Sequence, residues 1–197
     1  AFTRSKDAPP LPTSDLDLAF APVSHLSRWI ESRQLTSTRL TELCLARLKA
    51  LDPTLRAVIT LTEDHARARA RQADAEIAAG KYRGPLHGIP YGAKDLFDTA
   101  GIPTTWGAEP WKDRIPATDA AVIARLTEAG AVLVAKTSLG ALAYGDIWFG
   151  GRTNNPWNPA QGSSGSSAGS AATVAAGCVP FALGTEHVRR GNANVLQ

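Results

Sequence analysis

Two segments of this 197-residue sequence hold residue types that do chemistry. The first is Leu86-His87-Gly88-Ile89-Pro90-Tyr91-Gly92-Ala93-Lys94-Asp95, where an amine closes an otherwise apolar run. Such a lysine either snorkels to solvent or is desolvated, and desolvation lowers its pKa toward that of a usable base. Gly92 and Ala93 beside it leave room for close backbone approach, which favours burial. The second is the hydroxyl-rich run Gly162 to Ala172, G-S-S-G-S-S-A-G-S-A-A. Three chemistries suit it: a flexible linker, an anion site built from backbone N–H groups, or hydroxyl-based catalysis. A linker separates domains, whereas this run leads directly into a small-residue helix and a strand. A phosphate loop of the G-x-x-x-x-G-K-[ST] type is excluded, because no lysine occurs in 137–197. The same absence removes a Ser-x-x-Lys nucleophile.

Composition narrows the remaining classes. The formal net charge is +3 and 20% of residues are charged, so no nucleic-acid-binding character is expected. The run Arg67, Arg69, Arg71 reads as the solvated face of a helix, and Arg189-Arg190 stands isolated near the end. His25, His65, His87 and His187 lack HExxH or paired-ligand spacing, so no metal and no cofactor are expected. Cys44 and Cys178 lack CxxC spacing, and Cys44 falls on an apolar helical face as a buried thiol. No apolar run approaches the roughly 18 residues of a membrane span. Localisation is not encoded legibly; a cytoplasmic protein is the default expectation.

The elements that must position the two segments follow from periodicity. Residues 1–22, with Pro9, Pro10, Pro12 and Pro22, read as an extended N-terminal arm. Leu26, Trp29, Ile30 and Arg33 predict a first helix. Leu40, Leu43, Cys44, Leu48 and Leu51 predict a second, capped by Ser37 and stopped by Pro53. Residues 57–62 form a β-branched strand, and Thr62 caps an Ala-rich helix that ends before Gly80. Then come strand 88–94, a helix opened by Asp119 and ended by Gly130, strand 131–135, and a short helix capped by Ser138. A loop over 146–165, the helix 167–177 and the strand 179–184 complete the order. Alternating strands and helices predict an α/β protein with an open, mainly parallel sheet.

The order of short motifs carries a resemblance. G-I-P-x-x-x-K-D at 88–95, T-T-x-G at 104–107 and D-A-x-V-I-x-R-L-x-E-A-G-A at 119–131 are similar to the amidase signature family. So are K-T at 136–137, T-N-N-P-W-N-P at 153–159, the Ser/Gly run, and A-A-G-x-V-P-x-A-L-G-T-E at 175–186. The resemblance implies a partial amidase-signature fold over 23–186: a mainly parallel, mixed sheet flanked by helices, with helices at its N-terminal side. It also implies hydrolysis of carboxylic amides, small molecules in the parent family, by a Ser-Ser-Lys triad. Lys94 aligns with the lysine, and Ser166 with the middle serine, which follows a cis bond at Gly165–Ser166. Ser167 and Ser170 align with supporting positions of the same loop.

The pattern departs after Glu186. The family continues G-T-[ED] into a G-G-S segment that carries the nucleophile, and here that place falls on Arg190; no serine follows Ser170. The segment 187–197, HVRRGNANVLQ, reads as a non-family tail and its start as a frameshift, truncation or fusion junction. Two functions stand. One is an amidase or a part of a glutamine-dependent tRNA amidotransferase A-type subunit. The other is a non-catalytic remnant that binds a partner. A partial domain is also expected to self-associate through apolar faces left uncovered in 121–135 and 171–183.

Overall fold

The apolar run Val132–Thr137 becomes β3, the strand around which the sheet is assembled in this computed structural model, which describes residues 9–186. The tail 187–197, Arg190 included, lies outside the described residues. In chain order the elements are α1 (Asp15–Ala19), α2 (Val23–Glu31), α3 (Ser37–Leu55), β1 (Val58–Leu61), α4 (Glu63–Ala78) and β2 (Pro90–Lys94). There follow α5 (Ala121–Glu128), β3, the two-residue strands β4 (Ile147–Trp148) and β5 (Gly151–Arg152), α6 (Ala168–Ala175) and β6 (Ala182–Leu183). The main sheet has the order β1-β3-β2-β6. β2 runs parallel to both β3 and β6, and β1 is antiparallel to β3. The sheet is therefore mixed and mainly parallel.

Side chains of β3 alternate between two cores, as the pleat requires. Val132 and Val134 join Leu45, Leu48, Ala66 and Ala70 of α3 and α4. Leu133 joins Tyr91, Ala93 and Ile123 on the opposite face, under α5. The register pairs Lys94 with Thr137 and Ala93 with Lys136, so two lysines leave adjacent strand ends on opposite faces. Gly92 is required at this crossing: a Cβ there would stand 2.9 Å from Thr137 Cγ2.

Several local expectations are corrected. The arm contains a helical turn, α1, because Ser14 Oγ accepts the Leu16 and Asp17 N–H groups while Leu18 and Ala19 are buried. Thr36, not Ser37, caps α3, accepting the Arg39 N–H at 3.1 Å. Ser37 Oγ instead donates to Gly88 O. Pro53 lies inside the last turn rather than stopping the helix. Termination comes at Arg56 in the left-handed region (φ 51°), with Asp52 Oδ1 taking the Ala57 and Val58 N–H groups. Thr62 sits at the start of α4, yet its hydroxyl donates to Leu133 O and caps nothing. Ser138 likewise caps no helix; its hydroxyl is hydrogen-bonded to Thr153. The strand read at 179–184 narrows to Ala182–Leu183. In 121–135 Ile123 and Val132–Ala135 are buried, whereas in 171–183 Val174 is exposed; further exposed apolar side chains lie at Leu142, Tyr144, Ile147 and Trp157. Arg67 is an inter-helix tie, bonding Glu42 and Glu63.

Two stability predictions arise here. Asp74 of α4 accepts the N–H groups of Ser37 and Thr38 and the Thr38 hydroxyl, satisfying the first turn of α3 from another helix. Asp74→Ala orphans these donors and is expected to cost about 1–3 kcal/mol, read as a lowered urea midpoint. His87 is buried, accepting the Arg83 N–H at Nδ1 with Nε2 3.2 Å from Glu76. Burial pushes its imidazole below the ordinary range, and partial desolvation together with the Arg69 charge does the same for the more exposed His65. The unfolded chain then binds protons first, so stability present above pH ~6.5 is lost as pH falls through the folded-state values. Urea midpoints at pH 7 and pH 5 check this, and equal midpoints would refute it.

Candidate active site

Lys94 ends β2 with its side chain fully buried on the α6 face. Its Nζ lies 2.8 Å from Ser166 Oγ, 3.0 Å from Ser167 Oγ and 2.6 Å from Thr185 Oγ1. Burial lowers the pKa of the amine, partly opposed by the Glu186 carboxylate. An amine with three hydroxyl partners and little water is suited to exchange a proton with one of them. The sequence-derived residues Lys94, Ser166 and Ser167 are thus brought together. Ser170 is not on the amine: its hydroxyl donates to Leu183 O and is hydrogen-bonded to Thr137 Oγ1 at 2.8 Å, tying α6 to β6 and β3.

The loop that delivers the serines is shaped by its glycines and by α6. The Gly165–Ser166 peptide is cis. Ser166 O accepts the Gly140 N–H, which anchors the loop to the turn after β3. Inside α6, a Cβ on Gly169 would run into Ala57 O and Ser138, so a glycine there lets the helix seat against the ends of β1 and β3. Ser167 Oγ accepts the Thr185 N–H and donates to Thr185 O, both at 3.0 Å, which holds the chain after β6 across the amine.

The opposite face of the same strand ends holds a second buried lysine. Lys136 Nζ stands 3.1 Å from Asp95 Oδ1 and donates to Phe97 O at 2.9 Å and Thr104 Oγ1 at 2.6 Å. Asp95 Oδ2 accepts the Thr105 N–H at 2.7 Å and the Thr105 hydroxyl. Asp95 Oδ1 has no aligned hydrogen bond among the described residues, so its contact with Nζ is Coulombic. Burial pushes the Asp95 carboxyl up and the Lys136 amine down, while each opposes the shift in the other. This pair pins the start of the loop after Lys94. K-T and T-T-x-G stood in the sequence pattern with no role attached, and an aspartate directly after Lys94 was the available signal. Among the described residues no group of three or more His, Cys, Asp or Glu side chains is placed to hold a metal ion, and no helix is long and apolar enough to cross a membrane.

Fold and site together define a buried-lysine, serine-loop α/β protein, and comparison with known proteins places it. The amidase family profile matches residues 39–187, and the chain belongs to that family. It is similar to the A-type subunit of glutamyl-tRNA(Gln) amidotransferase from Chloroflexus aurantiacus, with 47% identity over 155 residues, covering 77% of this chain and 32% of that protein. Its counterpart in an Azoarcus species is 44% identical over 169 residues, 84% of this chain and 34% of that protein. Among solved structures, the peptide amidase of Stenotrophomonas maltophilia superposes with a TM-score of 0.77 at 39% identity, over 82% of this chain and 35% of the other. The chain spans about a third of the length of these curated relatives.

Proposed function

We propose that this chain carries the proton-transfer half of a site for carboxylic amides, with Lys94 as proton acceptor and Ser166 as relay. The supporting observation is the fully buried Lys94 amine 2.8 Å from the Ser166 hydroxyl. A neutral amine takes the Ser166 proton as Ser166 takes one from an attacking hydroxyl, so an alcohol is activated without strong base. Ser167 and Ser170 hold the loop and α6 in place. The substrate class is a small-molecule amide, glutamine included if the chain serves as its amidotransferase relatives are named for. The attacking serine's place in the family pattern falls on Arg190, so the chain as it stands is read as not completing this reaction. The test is a titration of the lysine Cε resonances in 13C-labelled protein, with Lys94 assigned from the spectrum of Lys94→Met. Lys94 is expected to titrate below the other lysines, and titration alongside them would remove the assignment.

A second reading, a non-catalytic partner-binding protein, draws on the apolar side chains exposed at Leu142, Tyr144, Ile147 and Trp157. Such a surface favours association. Sedimentation is expected to show self-association that weakens on dilution. A monomer at all concentrations, with no binding of hydrophobic dye, contradicts it.

A further inference from the structure

The three hydroxyls on Lys94 are not equivalent. Ser167 Oγ has its proton committed to Thr185 O and already accepts the Thr185 N–H. Among the described residues, Ser166 Oγ and Thr185 Oγ1 have no hydrogen bond other than the one to Nζ, and Thr185 is the nearer, at 2.6 Å against 2.8 Å. A neutral amine offers two N–H donors and one lone pair, so three oxygens around it require that one hydroxyl donate inward. With Ser167 committed, that donor is Ser166 or Thr185. Ser166 is held by the loop, its own carbonyl taking the Gly140 N–H. Thr185 is half-buried, as Ser166 is, but where Ser166 has exposed Gly165 on one side only, Thr185 has exposed residues on both sides, Gly184 and Glu186. It is also the last hydroxyl in the sequence, and Thr173, the other after Ser170, is buried and donates to Gly169 O.

We propose that Thr185 is a nucleophilic hydroxyl of this chain, activated directly by Lys94, which accepts acyl groups from activated esters. The inference rests on the reading of Lys94 as a neutral proton acceptor. In the step, the Lys94 lone pair takes the Thr185 Oγ1 proton and Oγ1 forms a bond to the ester carbonyl carbon. The bond from that carbon to the leaving alkoxide breaks, and the alkoxide departs with the electron pair. The products are an acyl-threonine ester, a Lys94 ammonium and the free alkoxide. Ester leaving groups such as p-nitrophenolate depart without protonation, whereas an amide nitrogen does not, so the activity is confined to activated esters.

The experiment uses p-nitrophenyl acetate and the full chain. Expected is a burst of one p-nitrophenolate per chain, and one acetyl group on the peptide containing Thr185 that hydroxylamine removes, as it removes esters. Thr185→Val is expected to abolish the burst and Thr185→Ser to retain it. Lys94→Met is expected to slow the burst by about 10²–10⁴-fold, the range for loss of a general base. Thr185→Val is nearly isosteric at a half-buried site, so it keeps the test valid if Lys94→Met fails to fold. Acetylation of Ser166 or Ser167, or a hydroxylamine-stable acetyl group on Lys94, would overturn the proposal. So would absence of any burst while Lys94 titrates below the other lysines, an outcome that leaves the Lys94 assignment standing. If Lys94 titrates with the other lysines, both readings fall.

Discussion

Incubated with glutamine, acetamide or a peptide amide, the purified chain is expected to release no ammonia above the buffer blank. Loss of the attacking residue from a hydroxyl triad costs about 10⁶-fold in turnover, and what survives in such enzymes comes from oxyanion stabilisation and binding. On the family pattern the Gly-Gly-Ser segment aligns with residues 188–190, Val-Arg-Arg, so the glycines that would let the backbone turn its N–H groups toward an oxyanion are not encoded either. One such donor is typically worth about 10²–10³ in rate. Thr185, the hydroxyl read as nucleophilic, is a secondary alcohol with no such oxyanion segment beside it, so attack on an unactivated amide is not sustained. No serine is therefore expected to react with a serine-directed phosphonate probe. The complementary arm is a chimera in which a Gly-Gly-Ser segment and the following part of a peptide amidase of the family are placed after Glu186. Ammonia release and probe labelling should both appear in it, and vanish again on Lys94→Met. Ammonia release by the unaltered chain, at any rate that scales with protein and is lost in Lys94→Met, would refute the reading that it lacks an attacking group competent for amides.

The second large effect concerns stability. Lys136→Met leaves the Asp95 carboxylate fully buried with no cation, a class of change that costs about 3–5 kcal/mol. Native proteins are stable by only about 5–15 kcal/mol, so the single variant is expected to lose most of its urea resistance. Pairing it with Asp95→Asn removes the second buried charge while keeping an acceptor for the Thr105 N–H, and is expected to recover a substantial part of the loss. The comparison of the two midpoints isolates the pair, because a packing defect at position 136 would persist in both. A single variant as stable as the parent would show that the Lys136–Asp95 contact is replaced by water.

Much of the site was legible in the chain because it is local and typed. Lys94 at the end of an apolar strand, and Ser166 and Ser167 in a glycine-flanked loop, are positioned by elements whose periodicity is plain: α3, α4, β2, α5 and β3. The errors came from competition among short polar side chains. Ser37 and Thr36 are adjacent hydroxyls that can each cap a helix, and the choice went to Thr36 because Gly88 O takes the Ser37 proton. Thr62 and Ser138 were diverted in the same way, by Leu133 O and Thr153. β6 shortened because its pairing with β2 extends only over Gly92 and Ala93.

By itself the sequence determined the class of the chain, the strand that bears Lys94 and the loop that bears Ser166, through residue type, spacing and the period of apolar positions. It also shows that no serine follows Ser170. Tertiary structure alone decided what those groups meet. The parallel register of β2 and β3 sets Lys94 beside Thr137 and Ala93 beside Lys136, and so sends one lysine to hydroxyls and the other to a carboxylate. It also folds Thr185, remote from Lys94 along the chain, to within 2.6 Å of its amine. Residue type fixes which groups can exchange a proton. Only packing removes the water between them and sets the distance, and both the pKa of Lys94 and the burial of the Lys136–Asp95 pair depend on that.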